Sequence, residues 1–193
     1  MHEPELRRQF LRFGALSAAA LVWSDPLEAT PECDETDDNI EGPFYKAGAP
    51  DRSTLVDRGM PGLPLIVTGR VLSTQCKPLA GAVLDVWQCD ANGVYDNKGY
   101  TLRGKLHSDD KGRYEIRTIL PPPYNIGDSR FRPAHIHLKI SAPGTPVLTT
   151  QLYFDGDKYN TVDRAFRKSL ALRPKEAKGG KLATFDFHIK TAS

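Results

Sequence analysis

The sequence predicts an all-β fold: a β-sandwich of mostly antiparallel strands with long loops and one short helix. Three observations carry this. Short runs alternate apolar and polar residues at period 2, the pattern of half-buried strands. Between them, 15 prolines and 16 glycines are dispersed rather than clustered, so turns interrupt the chain throughout. At 193 residues, with no internal repeat, the chain suits one domain with one core. Its 26 Lys and Arg against 24 Asp and Glu leave no electrostatic footprint for nucleic acid.

Residues 1–30 read as a targeting segment and 31–193 as the folded domain. Arg7-Arg8-Gln9-Phe10-Leu11-Arg12 precedes an apolar run from Phe13 to Trp23. That run is shorter than the ~20 residues of a membrane span. A basic stretch before a short apolar one is a signal-peptide layout. The paired arginines resemble a twin-arginine export signal, which implies a periplasmic or extracellular destination. A leader kept as an anchor is the one foreseen contact with a membrane. Ser24 to Glu41 is polar and acidic, an expected extended linker, and Glu41-Gly42-Pro43-Phe44-Tyr45 enters the domain as a turn with an aromatic anchor.

Leu65–Leu72 and Ala82–Trp87 read as an antiparallel pair joined through Lys77-Pro78, with Trp87 a core residue. Asp90-Ala91-Asn92-Gly93 is a turn that delivers Tyr95 to a sheet edge. Asp109 to Gly112 is a second turn, followed by a strand in which Tyr114 and Ile116 alternate with charges. Thr149–Phe154 is a further strand, Asp163–Leu172 the expected helix with Phe166 and Leu170 on one face, and Phe185, Phe187 and Ile189 alternate in a last strand. If the first two strands pair, Cys76 and Cys89 lie at opposite ends of a hairpin, ~20 Å apart and too far for a bridge. Cys33 could reach either one.

The chemistry is expected between Tyr124 and Ile140. His135-Ile136-His137-Leu138-Lys139-Ile140 alternates strictly, so Ile136, Leu138 and Ile140 face a core while His135 and His137 share the other face. Residues i and i+2 on a strand are roughly 6.5–7 Å apart, close enough for two imidazoles to converge on one metal ion. A solvated pair of histidines would give the same pattern. What favours a metal is the company of Tyr124, Arg132-Pro133 and Tyr95. Two imidazoles and two phenols form a hard, anionic donor set once the phenols ionise. That requires a strongly Lewis-acidic ion, because a free phenol has a pKa near 10. Such a shell suits Fe(III) better than copper or zinc.

The ordered set Glu41–Tyr45, Gly81–Asp90, Gly93-Val94-Tyr95, Arg103-Gly104, Asp109–Tyr114, Pro123-Tyr124, Arg132–His137 and Gln151–Asp157 resembles the intradiol ring-cleavage dioxygenases, in their exported single-domain form. The resemblance implies ferric iron, Fe(3+), held by Tyr95, Tyr124, His135 and His137. Tyr95 and His135 would be equatorial ligands, and Tyr124 and His137 axial ones. It implies a catecholic small-molecule substrate and O₂ as reaction partners. Tyr124 would accept a substrate proton as it is displaced, with Arg132 and Gln151 stabilising charge that develops on the ring. The product would be a cis,cis-muconate-type diacid. Oligomeric state stays open. Two rivals are a non-catalytic transthyretin-like β-sandwich binding module, which would lack one of the four ligands, and a copper or zinc site adding His107 or His188 to the histidine pair.

Overall fold

Alternation along the strands becomes two faces of a sheet. The computed structural model describes residues 33–191, so the expected leader lies outside the described residues. The strands are β1 (Pro64–Ser73), β2 (Val83–Trp87), β3 (Arg103–His107), β4 (Arg113–Ile119), β5 (Tyr124–Asn125) and β6 (Phe131–Arg132), then β7 (His135–Ser141), β8 (Leu148–Phe154), β9 (Ala171–Leu172), β10 (Lys175–Ala177), β11 (Gly180–Thr184) and β12 (Phe187–Ile189). One sheet runs β3-β2-β7-β8-β9. The other runs β10-β11-β1-β12, with β4 also paired to β1, and β5 and β6 form a separate two-stranded ribbon. Most pairings are antiparallel, while β1 with β11 and β12, and β8 with β9, are parallel.

The first sheet turns Leu84 and Val86 of β2, Leu106 of β3, Ile136, Leu138 and Ile140 of β7, and Leu152 and Phe154 of β8 into one apolar cluster. From the second sheet come Leu65, Val67, Tyr114, Ile116, Ala183, Phe187 and Ile189. Each fully buried Leu, Ile or Val contributes about 1.5–3 kcal/mol, so this face fixes the register of every strand in it. A slip of one residue would exchange the two faces. The opposite face of the same sheet therefore has a defined composition. Across it, the register aligns Arg103, Trp87, His137 and Gln151 in one row, with Lys105, Asp85, Lys139 and Thr149 in the next.

Four expectations fail in the fold. The segments Leu65–Leu72 and Ala82–Trp87 do not form a hairpin. Both flanks of β1 are taken by β4 and by β11 and β12, while β2 lies between β3 and β7 in the other sheet. The connecting turn crosses the sandwich because both strands cover the same core from opposite sides. The expected helix at Asp163–Leu172 shrinks to one 3₁₀ turn, Lys168–Leu170. The Asp163 carboxylate accepts the backbone N–H of Ala165 (2.8 Å), a local bond that competes with helix formation. Ala171–Leu172 is then drawn into extended pairing with β8.

The supposed linker belongs to the domain from Cys33 onward. Residues 33–52 cross the polar face of the first sheet as an irregular strap. Asn39 N–H donates to Thr149 O (2.8 Å), Thr36 N–H to His188 O (3.0 Å), and Lys105 N–H to Pro50 O (2.9 Å). Between β11 and β12 the chain closes tightly on β1. A Cβ at Gly69 would lie 1.7 Å from the Phe185 carbonyl oxygen, so only glycine fits there. The last strand accordingly starts at Phe187, not Phe185.

Cys33 and Cys76 are disulfide-bonded, which ties the start of the strap to the turn after β1, and Cys89 is buried as a thiol. Closing a loop of 43 residues' separation contributes about 4 kcal/mol in the chain-entropy account. Cys33→Ser should lower the unfolding free energy by about 2–4 kcal/mol, read as a lower guanidinium midpoint. Reductant should shift the wild type in the same way and leave the variant unmoved.

Candidate active site

The burial of Ile136, Leu138 and Ile140 forces His135 and His137 onto the opposite face, under the strap. Both are buried, at 2% and 1% exposure, so they are not a solvated pair. Their Nε2 atoms are 3.1 Å apart. His135 Nδ1 lies 2.6 Å from the Pro133 carbonyl. A carbonyl only accepts, so the proton sits on Nδ1 and the Nε2 lone pair points inward. Trp87, on the neighbouring strand, stacks against His137 at 4.8 Å and 6°. Gly42 of the strap closes the other side: a Cβ there would lie 3.3 Å from His137 Cε1.

Tyr95 and Tyr124 complete the cluster. Tyr95 Oη is 3.4 Å from His135 Nε2. The Tyr95 and Tyr124 rings meet edge-on at 5.4 Å, and Tyr124 lies 5.5 Å from the His135 ring. Tyr95 comes from the loop after Asp90-Ala91-Asn92-Gly93. There Asp90 Oδ1 accepts the N–H groups of Asn92 and Val94 (2.9 Å each). Gly93, at φ +77°, passes so close to Tyr124 that an added Cβ would touch that residue's Cβ at 3.0 Å. Phe44 of the strap stacks on Tyr95 at 4.3 Å and 14°. All four residues expected from the sequence are thus brought together.

The electrostatics fit a cation. Burial, reinforced by Arg132, pushes His135 down to about 3. Burial, then His135 and Arg132, holds His137 well below its ordinary value. Both imidazoles are therefore neutral at pH 7, the form in which a ring nitrogen can coordinate. Burial raises both phenols, Tyr95 further through Tyr124. Two neutral imidazoles and two phenols in mutual contact offer a highly charged cation a donor set of nitrogens and, once the phenols ionise, anionic oxygens. Among the described residues, no group of three or more His, Cys, Asp or Glu could hold a metal, so any centre here depends on the phenols. His107 lies opposite Val83 at the far end of β2, and His188 is in the other sheet. Neither joins the pair, which removes the copper or zinc alternative built on them.

Arg132 stands beside the cluster, fully engaged. Its Nη1 lies 3.2 Å from His135 Nε2, and its Nη2 donates to Gln151 Oε1 (2.9 Å) and to Tyr153 Oη (3.1 Å). Its Nε pairs with Asp163 Oδ2 at 2.9 Å, both side chains being about nine-tenths buried. Gln151 also donates from Nε2 to Ile40 O (2.6 Å), so it links Arg132 to the strap. Tyr153, Asp163, Phe44 and the stacking role of Trp87 escaped the sequence reading. Tyr153 follows Gln151 at i+2 and so shares its face, a signal that was there to be read. Asp163 was hidden by its reading as the start of a helix. A cavity of about 520 Å³, lined by Gly42, Phe44, Tyr95, Tyr124, Ile126 and Arg132 among others, opens onto the cluster.

A family model described as "Dioxygenase" matches residues 40–191. Catechol 1,2-dioxygenase 2 of Acinetobacter lwoffii is 38% identical over 156 residues, 70% of this chain and 57% of that protein. The 6-chlorohydroxyquinol 1,2-dioxygenase of Cupriavidus pinatubonensis is 38% identical over 181 residues, 83% of this chain and 65% of that one. The chain belongs to the intradiol ring-cleavage dioxygenase family. It spans between half and two-thirds of the length of these curated relatives.

Solved intradiol dioxygenases share the fold. The 3-chlorocatechol 1,2-dioxygenase of Rhodococcus opacus superposes with a TM-score of 0.76 at 31% identity, covering 81% of this chain and 73% of that one. The dioxygenase domain of a carbohydrate-binding fusion from a Streptomyces species gives 0.76 at 43% identity. It covers 82% of this chain and all of that domain. Within this intradiol scaffold, Asp163 is what keeps the Arg132 charge compensated. Asp163→Ala should destabilise the protein by about 3–5 kcal/mol, the cost of leaving one partner of a buried pair alone, measured by urea unfolding. A loss below 1 kcal/mol would mean the pair is solvated.

Proposed function

We propose that the chain is an Fe(III)-dependent intradiol dioxygenase that opens a catechol-type ring between its two hydroxyl-bearing carbons. Both atoms of O₂ enter the product, a cis,cis-muconate-type diacid, so a dihydroxybenzene plus O₂ balances with no other reductant. The observation that carries the reading is the convergence of two neutral imidazoles and two buried phenols beside a buried arginine. The relatives named for catechol, chlorocatechol and chlorohydroxyquinol support the substrate class and leave the ring substituents open.

Tyr95, Tyr124, His135 and His137 would hold the iron. When bound, ferric iron supplies a Lewis acid that draws electron density from a chelated dihydroxybenzene and so primes the ring for O₂. The chain's own residues do the rest. Tyr124, once held as phenolate by the ion, would receive at Oη a proton from one substrate hydroxyl as substrate enters. Arg132 Nη1, already directed at the histidine pair, faces the negative charge that grows on the substrate oxygens and ring. Gln151 acts through Arg132, because both ends of its amide are already bonded. Phe44, Gly42 and Trp87 exclude water from the histidine pair and fix its orientation.

We further propose that the protein is exported to the periplasm or beyond. The support is the twin-arginine-like segment of residues 1–30 and the Cys33–Cys76 disulfide, a bond that persists mainly in oxidising compartments. Cell fractionation should find the protein outside the cytoplasm, and Arg7→Lys/Arg8→Lys should retain it inside.

The activity reading is tested on purified, iron-loaded protein by visible absorption before and after anaerobic catechol, followed by O₂ uptake. A phenolate-to-iron band that moves to longer wavelength with catechol is expected, with one O₂ consumed per ring opened. Tyr124→Phe, which removes the proton acceptor, should lower kcat by about 10²-fold or more. A colourless protein after verified iron loading would sink the four-ligand assignment.

A further inference from the structure

The cavity at the phenol pair does not end at Arg132. A second, larger space of about 1100 Å³ begins there, and the two share Ile40, Ile126 and Arg132 as common wall. A groove on this scale matches a drug-sized ligand, for which ~300–1,000 Å³ is usual. It is far more than one dihydroxybenzene ring fills.

The outer space has two chemical characters. It is basic: Arg130, Arg164 and Arg167 line it against Asp38, because the other carboxylate there, Asp163, is spent on Arg132. Arg167 Nη1 donates only to the backbone carbonyls of Arg164 and Phe166. Arg130 has only a loose 3.8 Å contact with the exposed Asp128. The positive charge is therefore free to meet a ligand. The groove is also apolar at its lip. Among the described residues, seven large hydrophobics are exposed, and four of them (Ile40, Val94, Ile126 and Val162) line one or other of these joined spaces. Exposed apolar residues scattered singly carry no information, but a cluster at a cleft does. Phe131 and Tyr159, stacked at 5.0 Å and 15°, add a flat aromatic wall.

We infer that this groove selects catechols bearing an extended, anionic side chain, such as an alkenyl or aryl carboxylate, over the bare ring. The ring enters the inner cavity, the unsaturated chain lies along Ile126, Val162 and the Phe131–Tyr159 pair, and the carboxylate meets Arg164 and Arg167. Both arginines line the outer space, which shares Ile40, Ile126 and Arg132 with the inner cavity, so the anion site adjoins it. The inference rests on the catechol-type reading for its ring and on the groove alone for its tail.

The test compares 3,4-dihydroxycinnamate with its methyl ester, which removes the charge at the tail and adds one methyl group. In the iron-loaded wild type the acid should exceed the ester in kcat/KM by about three- to tenfold at low salt, as expected for partly exposed arginine–carboxylate contacts. The advantage should shrink as salt screens it. In Arg164→Gln/Arg167→Gln the ratio should fall towards one. A ratio is immune to loss of folded protein, so a poorly folding variant does not mimic the result. Calorimetric binding of the same two compounds to iron-free protein separates this inference from the activity itself. If neither compound is turned over, yet the acid binds more tightly than the ester and the double variant abolishes the difference, the groove assignment stands and the dioxygenase reading falls. Equal binding and turnover of acid and ester in the wild type, or an unchanged ratio in the double variant, would overturn it. So would a concentration-dependent dimer that blocks the acid, since the groove would then be a face for a second copy.

Discussion

Everything at the site depends on one constraint, the commitment of Ile136, Leu138 and Ile140 to the core. Those three side chains are fully buried, as are Leu84, Val86 and Leu152 on the flanking strands. Moving them to the other face would cost several times the ~1.5–3 kcal/mol of each, so the strand has one register. Given that register, His135 and His137 must point the other way, two residues apart, with Trp87 beside one and Tyr153 opposite the other. The geometry of the histidine pair is thus set by apolar packing on the reverse side of the same strand. The histidines need no attraction for each other to be brought to an Nε2–Nε2 distance of 3.1 Å.

A sheet face of this kind would normally be wet, and wet imidazoles with an open arginine would make a poor oxidation site. The strap of residues 33–52 changes that. It donates and accepts backbone hydrogen bonds along β8, β12 and β3, each contributing about 0.5–1.5 kcal/mol net, and it lays Gly42 and Phe44 over the cluster. Its second contact is electrostatic. Lys139 lies 4.0 Å over the Tyr45 ring and 2.5 Å from Glu41, and Tyr45 in turn donates to the buried Asp85. Burial pushes Tyr45 up to about 12, helped by Asp85, so it stays a neutral donor. The strap is held by many modest bonds and one covalent one.

How much of this was legible follows from range. Period-2 alternation is local, and it gave the sandwich, β7 and the paired histidines directly. The two tyrosines are different. Nothing local marks Tyr95 or Tyr124 as converging, because Tyr95 sits in a loop placed by Asp90 and Gly93 and Tyr124 opens a two-residue strand after three prolines, and the family resemblance is what singles them out together. The failures share one cause. Leu65–Leu72 and Ala82–Trp87 look like hairpin partners because their neighbours in space, β4, β11 and β12, are distant in sequence. Asp163–Leu172 has helical spacing, but Arg132, thirty-one residues away, claims the carboxylate. The acidic stretch after Cys33 has no apolar pattern at all, since its order comes from backbone bonds to strands more than a hundred residues later.

That last point bears on how the cleft is built. The acidic part of the strap has no apolar face, so its position comes from hydrogen bonds to the sheets and from the Cys33–Cys76 bond, while Phe44 and Tyr45 further along pack on the aromatic cluster of Trp87, Tyr95 and Tyr124. The inner cavity counts Ile40, Gly42 and Phe44 of the strap among its walls, so its shape depends on where the strap lies. Gln151 is the point where the two halves meet, one end of its amide on Ile40 of the strap and the other on Arg132. The orientation of the arginine and the position of the strap are in this way tied through one side chain.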